Sequence, residues 1–260
     1  MRFKKKDVCL WMVLCCTWFV AFQGLVAQHK EVAAPSKTSH KSALKIVLVG
    51  LPGAGKGVQS RALQKALNLS IIGMGDLLRK EVESETALGQ EIKAIMDKGD
   101  FVSDEIAVQV FTKNAALSDG FIADGFPRNA AQARLLQKSL EDKGQKLDYI
   151  FYLDVPEDVL VKRLTQRVVC LDCGAPQPKG AQTTCTSCGG KALGKRSDDQ
   201  EEVVQKRIRD QKERNKPLLE VLEKMAPLCV VAFDEKDAAL QVPHLATQRI
   251  LAHIKEEKVS

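Results

Sequence analysis

Aromatic residues are scarce, at 5% of the 260-residue chain. A surface that stacks single-stranded bases needs such rings interleaved with a stripe of basic residues. No such stripe runs through the chain, which argues against a zinc-ribbon nucleic-acid module. Net charge is small as well. Of the formal +6, residues 1–27 supply +3 through Arg2, Lys4, Lys5, Lys6 and Asp7, leaving the body at +3. That suits an anionic ligand such as a nucleotide without demanding a polyanion. Internal repeats and long low-complexity tracts are absent. A composition of 45% hydrophobic and 28% charged residues instead suits one sizeable α/β domain with insertions, or two small domains.

A disulfide framework is also missing. Of eight cysteines, Cys9, Cys15 and Cys16 lie in an N-terminal apolar run and Cys229 stands alone. The other four form two C-x-x-C pairs, the pattern of metal ligands. The apolar run spans residues 8–27 without a charge, follows "RFKKK" and ends in Leu25-Val26-Ala27. A basic start, an apolar core and a small-residue end read as a secretory signal peptide. The run is also long enough for an uncleaved membrane anchor, giving membrane association through residues 8–27. The preceding lysines favour an N-terminus kept in the cytoplasm and an exported body. Residues 28–44 read as a linker.

Along the body, short apolar runs alternate with helical spacing. Residues 45–50, 120–124, 149–154 and 228–233 read as buried strands. Residues 58–68, 130–140 and 156–166 have the period of helices. This alternation predicts a doubly wound parallel sheet with helices on both faces. Residues 167–196, rich in Cys, Gly, Pro and Thr, interrupt it and read as a small inserted lobe.

The stretch "KIVLVGLPGAGKGVQ" carries the first chemistry. Gly50-x4-Gly55-Lys56 follows a strand and opens a helix, where glycines let backbone N–H groups approach phosphate oxygens. A hydroxyl is lacking after Lys56: Gly57 and Val58 stand where a phosphate loop commonly has Ser or Thr.

With that loop, the sequence resembles the adenylate kinase family of nucleoside monophosphate kinases, over residues 45–255. The family's own loop carries glycine after the lysine, so Gly57 fits, and Mg²⁺ there rides on phosphates and water. Val58 departs from the usual Thr and removes a hydroxyl contact of about 1 kcal/mol. The resemblance implies an ATP site at Gly53, Ala54, Gly55, Lys56, Gly57 and Val58.

"GMGDLLRKEV" is similar to the family's monophosphate segment, with Arg79 on the AMP phosphate and Met74 in place of a Thr beside the base. "GDFVSDE" matches the acceptor-base lining at Asp100, Phe101 and Val102. "DGFPRNAAQ" is the most specific run. In it Asp124 would order Mg²⁺-bound water, Gly125, Phe126 and Pro127 would line the AMP site, Arg128 would bind the AMP phosphate, and Gln132 would read adenine through two amide hydrogen bonds. Further on, Arg163 would stack on the ATP adenine and Arg167 contact its phosphates. Arg196 and Arg207 would act on the transferring phosphate, with Asp198 and Asp199 as their partners when a lid closes.

Cys170-x2-Cys173-x11-Cys185-x2-Cys188, each pair followed by glycine, suits tetrahedral Zn²⁺. It resembles the zinc-bearing long lid of bacterial-type adenylate kinases. Here the spacer is shorter, and Pro176, Gln177 and Pro178 replace the usual Tyr-His. The C-terminal "FDEKDAAL" matches the family's adenine-side loop poorly, so no residue is assigned there. The resemblance therefore implies a monomeric ATP:AMP phosphotransferase with Mg²⁺ on ATP and structural zinc. Residues 45–260 form the kinase domain, 73–102 the monophosphate segment and 167–202 the lid. The family alone implies a cytoplasmic location. Met74 motivates an alternative as a kinase for another nucleoside monophosphate. Val58 and the unusual C-terminus motivate a second, a nucleotide-binding protein with weak or no transfer.

Overall fold

The computed structural model describes residues 44–115, 120–177, 183–233 and 243–256. The N-terminal run, residues 28–43 of the linker, Pro178 and residues 234–240 of the C-terminal loop lie outside the described residues. No described helix is long and apolar enough to cross a membrane.

The order of elements is β1 (Lys45–Gly50), α1 (Lys56–Leu67), β2 (Ser70–Gly73), α2 (Met74–Glu83), α3 (Ala87–Asp97), α4 (Asp104–Asn114), β3 (Phe121–Asp124), α5 (Ala130–Glu141), β4 (Tyr149–Asp154), α6 (Glu157–Thr165), β5 (Val169–Cys170), β6 (Leu193–Gly194), a 3₁₀ turn (Ser197–Asp199), α7 (Glu201–Leu222), β7 (Leu228–Ala232) and α8 (Pro243–Glu256). Strands β2-β3-β1-β4-β7 form one sheet in that order, and every pairing within it is parallel.

The central strand is buried at all six positions. Its side chains alternate between two apolar clusters, one on each face of the sheet. Val47 and Val49 join Phe121, Ala123 and Ile150 on one face. Ile46 and Leu48 join Ile122, Phe151 and Leu153 on the other. A two-residue period with both faces covered is why these runs read as continuously apolar. Each such side chain contributes roughly 1.5–3 kcal/mol by burial. Helices α2 to α5 cover the first face, and α1, α6 and α8 the second. Helix α7 reaches both: Val204 and Ile208 pack in one cluster, Leu218 and Leu222 in the other.

Strand β2 is an addition to the sequence reading. Its four residues "SIIG" are only partly buried and carry too little period to stand out. Register then gathers the chemistry at one edge. Leu48 and Gly73 both pair with Asp124, and Gly50 pairs with Leu153. The carboxyl ends of β1, β2 and β3 thus open on a common crevice, the usual ligand position in such sheets.

Among the described residues of 167–196, the antiparallel pair β5–β6 is the regular structure. Their buried cluster is Cys170, Ala175 and Cys185, with Leu193 packed against it.

Candidate active site

The crevice is a cavity of about 610 Å³. The glycine loop between β1 and α1 forms part of its wall. At Gly50 φ is +147°, and a Cβ there would sit 2.7 Å from the Leu153 carbonyl oxygen, so only glycine lets the chain turn this close to β4. At Gly57 a Cβ would meet Asp124 Oδ2 at 3.2 Å, and a longer side chain would crowd that carboxylate. Gly53, Ala54, Gly55, Lys56, Gly57 and Val58 all line the cavity. The Val58 N–H does not face outward as a donor, since it donates to the Gly55 carbonyl at 2.9 Å. Lys56 folds back over the loop, and its Nζ donates to the carbonyls of Gly50 at 2.7 Å and Leu51 at 3.0 Å.

The other predicted nucleotide residues arrive from five directions. Met74 and Arg79 come from α2; Asp100, Phe101 and Val102 from the turn before α4; Asp124, Gly125, Pro127 and Arg128 from the end of β3; Gln132 from α5; and Arg163 and Arg167 from the end of α6. Arg196 and Arg207 close the circle from the lobe's return and from α7. Phe126 differs from expectation. It is buried in the core, stacks on Phe111 with ring centroids 4.4 Å apart and does not line the cavity. An apolar ring behind a tight strand-end turn gains more from the core than from a polar cleft.

Crowding the cations has a measurable cost. Burial is the main cause that pushes Lys56 down to about 8, and repulsion from Arg128, Arg207 and Arg167 adds to it against the attraction of Asp124. Burial likewise lowers Arg128 to about 10, aided by Arg207, and Arg196 to about 10, aided by Arg79 and Arg167. Arg207 and Arg163 are lowered too, again chiefly by burial. Asp124 is raised by burial, with Lys56 opposing and Asp76 reinforcing the shift. These shifts describe a site short of negative charge.

Carboxylates partly neutralise it. Arg167 grips Asp199 bidentately at 2.8 and 2.6 Å, and Arg207 meets Asp198 at 2.7 Å. Asp76 pairs with Arg79 and lies 3.7 Å from Arg196. Asp76 escaped the sequence reading, although its i to i+3 spacing from Arg79 on a helix was a signal for the pair. Gln211, Arg214 and Ser60 also escaped it. Gln211 Nε2 donates to the Arg128 carbonyl at 3.0 Å and holds Asn215 at 2.9 Å. The guanidinium groups of Arg128 and Arg214 lie over the Phe101 ring, at 5.1 and 4.5 Å from its centroid. Ser60, fully buried, puts its Oγ 3.4 Å from Asp124 Oδ2, so a hydroxyl does reach this carboxylate from α1. Phe233, at the end of β7, also lines the cavity.

The four lid cysteines are unpaired by disulfides, and their Sγ atoms all lie within 4.8 Å of one another. Cys170–Cys188 and Cys173–Cys185 are each 3.7 Å apart. A tetrahedron with metal–sulfur bonds of about 2.3 Å has edges of about 3.8 Å, so the set fits zinc with little adjustment. Two matching turns present the thiols: Gly174 N–H donates to Cys170 O and Gly189 N–H to Cys185 O. Gln177 ties the pairs together. Its Nε2 donates to Ala175 O at 2.9 Å and Cys185 Sγ at 3.2 Å, and its Oε1 accepts from Thr186 N at 2.9 Å. Pro176 and Gln177 also form part of the cavity wall.

Comparison with known proteins agrees with this geometry. A family model described as adenylate kinase matches residues 48–226. An adenylate kinase of Caldicellulosiruptor bescii is 39% identical over 204 residues, covering 75% of this chain and 94% of that protein. One from Bacillus cytotoxicus is 38% identical over 193 residues, covering 71% and 89% respectively. One from Caldicellulosiruptor saccharolyticus is 38% identical over 205 residues, covering 75% and 94%.

Proposed function

We propose roles for these side chains from one premise: the chain belongs to the adenylate kinase family, and is an enzyme that transfers a phosphoryl group from ATP to AMP to give two ADP. The observation that carries the assignment is the convergence of Lys56 with Arg79, Arg128, Arg167, Arg196 and Arg207 on one cavity above the glycine loop. Residues 53–58 hold the donor's β- and γ-phosphates, with Lys56 as the mobile cation. Arg79 and Arg128 hold the AMP phosphate. Arg167, Arg196 and Arg207 surround the phosphoryl group in transit, and Gln132 reads the acceptor base. Arg163 stacks on the donor adenine.

The acceptor is already an anion, so no side chain has to remove a proton. The protein's work is in-line alignment and neutralisation of charge. Phosphate oxygens entering the cage offset the burial, and the lesser repulsion, that depress Lys56, so part of the cost of gathering cations is returned when substrate binds. The family implies Mg²⁺ with ATP, and the ion would supply neutralisation of the donor phosphates' charge. Asp124, at the end of β3 and beside Ser60 and Gly57, is the side chain suited to orient its water ligands.

Cys170, Cys173, Cys185 and Cys188 would hold Zn²⁺, which when bound crosslinks a lobe whose own apolar cluster is too small to order it. We assign residues 167–202 to a lid that excludes water, 73–102 to the acceptor segment and 45–260 to the kinase body. Residues 1–27 are assigned to export or membrane anchorage and 28–44 to a linker. N-terminal sequencing of native protein tests this: an intact first residue overturns cleavage.

Purified protein with ATP, Mg²⁺ and AMP is expected to form two ADP per turnover. ADP formed only with CMP or UMP would overturn the acceptor assignment in favour of a kinase for another monophosphate, the reading that Met74 motivates. Met74 is 2% exposed and packed in the core on the acceptor side, so it offers the base a thioether wall without a hydroxyl.

A further inference from the structure

We propose that Asp104 is a positioning residue that fixes the sense of the Gln132 amide, and thereby makes the acceptor site select adenine over 6-oxopurines. The inference rests on the reading that Gln132 faces the acceptor base.

Gln132 is 3% exposed and lines the cavity. Two fixed groups already hold its amide. The main-chain N–H of Arg128 donates to its Oε1 at 2.8 Å. Its Nε2 donates to Asp104 Oδ1, also at 2.8 Å. A main-chain N–H can only donate, and an ionised carboxylate can only accept. The amide therefore has one stable orientation. Rotating it by half a turn would bring Oε1 against the Asp104 carboxylate and the NH₂ group against the Arg128 N–H, leaving two donors and two acceptors facing their own kind.

Asp104 is itself held. Asn129 Nδ2 donates to the same Oδ1 at 2.7 Å, while Asn129 Oδ1 caps α5 by accepting from Gln132 N at 2.8 Å. The carboxylate is not needed to start its own helix, because Ser103 caps α4 by accepting from Ile106 N at 3.3 Å. Its side chain instead reaches across to residues 25 and 28 positions later in the sequence. Such a reach, with both donors on one oxygen, has a geometric purpose that a surface charge at a helix start lacks.

Each amide atom in this lock keeps one unused valence: one N–H on Nε2 and one lone pair on Oε1. Side by side, they meet an acceptor beside a donor, which is what adenine presents at N1 and the 6-amino group. Hypoxanthine and guanine present the reverse, an N1–H beside a 6-oxo group. To read them the amide would have to turn against both Asp104 and the Arg128 N–H. Discrimination thus comes from the polar groups behind Gln132, since a glutamine free to turn would accept either base edge.

IMP is the sharpest probe, because its base differs from adenine at this edge alone. Affinities for AMP and IMP, by calorimetry, and kcat/KM with ATP are to be compared in the wild type, D104A and D104N. The wild type is expected to favour AMP strongly. D104A is expected to reduce the AMP-to-IMP ratio by about tenfold or more, while D104N, which keeps an acceptor oxygen at the same place, restores most of it. D104S, a residue compatible with helix starts, serves the same purpose if D104A is unstable. A parallel loss for both nucleotides in D104A, with the ratio unchanged, overturns the proposal and leaves Asp104 a purely structural residue. A wild type that binds AMP and IMP equally overturns the reading of Gln132 itself. The two failures are therefore distinct.

Discussion

The sheet and the cysteine lobe solve the same problem by opposite means. The sheet places its chemistry by apolar burial: β1 is closed in on both faces, and its register with β3 sets Asp124 beside Leu48, just before the glycine loop. The described part of the lobe has a small apolar cluster of Cys170, Ala175 and Cys185, and its two turns meet at four sulfur atoms and at the Gln177 amide. One region is ordered by area removed from water, which is diffuse and tolerant. The other hangs on a few directional contacts. The site draws on both, since Arg196 and Gln177 come from the lobe while Lys56 and Arg128 come from the sheet's edge.

The comparison breaks most sharply at Lys56. K56M is expected to lower kcat/KM by about 10³-fold in a coupled ADP assay, the scale seen when a preorganised charge is removed from a transition state. Its thermal midpoint should not fall. The folded pKa of about 8 lies below the ordinary 10.5, so the protonated amine opposes folding. Chemistry and stability then separate at one residue of the sheet's edge.

At the lobe, C185S should separate them differently. The variant is expected to lose its zinc by metal analysis and to be cut by protease within residues 167–196, while circular dichroism of the rest stays native. Activity should drop by about tenfold to a hundredfold as lid closure weakens. Loss of the whole fold instead would mean that the lobe and sheet do not fold separately.

A smaller effect concerns protons. The folded pKa of Lys56 is depressed, so ligand-free stability is reduced at neutral pH and rises between about 8 and 10.5, where the unfolded chain still holds the proton. A polyphosphate brings negative charge to Nζ and raises its pKa. Binding at pH 8.5 should therefore take up a fraction of a proton, read as a dependence of calorimetric enthalpy on buffer ionisation heat, and affinity should fall as pH climbs above 8. No uptake would mean that Lys56 does not meet phosphate.

The smallest effect is expected from V58T. Restoring a hydroxyl should raise kcat/KM by up to about fivefold, the worth of one net hydrogen bond. An unchanged rate would indicate that Ser60, already beside Asp124, serves in its place.

What could be read in advance follows from the same contrast. Strands β1, β3 and β4 stood out because two-sided burial writes itself as an unbroken apolar run, β7 by its apolar run although it is an edge strand with Val230 exposed, and the glycine corner because its φ angles and close contacts admit little else. The short β2 did not, since four half-buried residues carry no period. Asp76 and Asp104 were hidden for another reason. A carboxylate in the first turn of a helix is common on any surface, and only the fold shows that these two face Arg196 and Gln132. Phe126 misled because its neighbours in the motif line the cavity while its own ring belongs to the core.

Helix α7 has 22 residues, about 33 Å of rigid rod. Its two ends are sunk in opposite layers, and between them it carries Arg207, Gln211 and Arg214 past the cavity. A beam clamped at both ends cannot swing. On the roles proposed above it would be the bearing of the machine, against which the lid would turn, and the arginines mounted on it would be the fixed reference to which two incoming nucleotides are aligned.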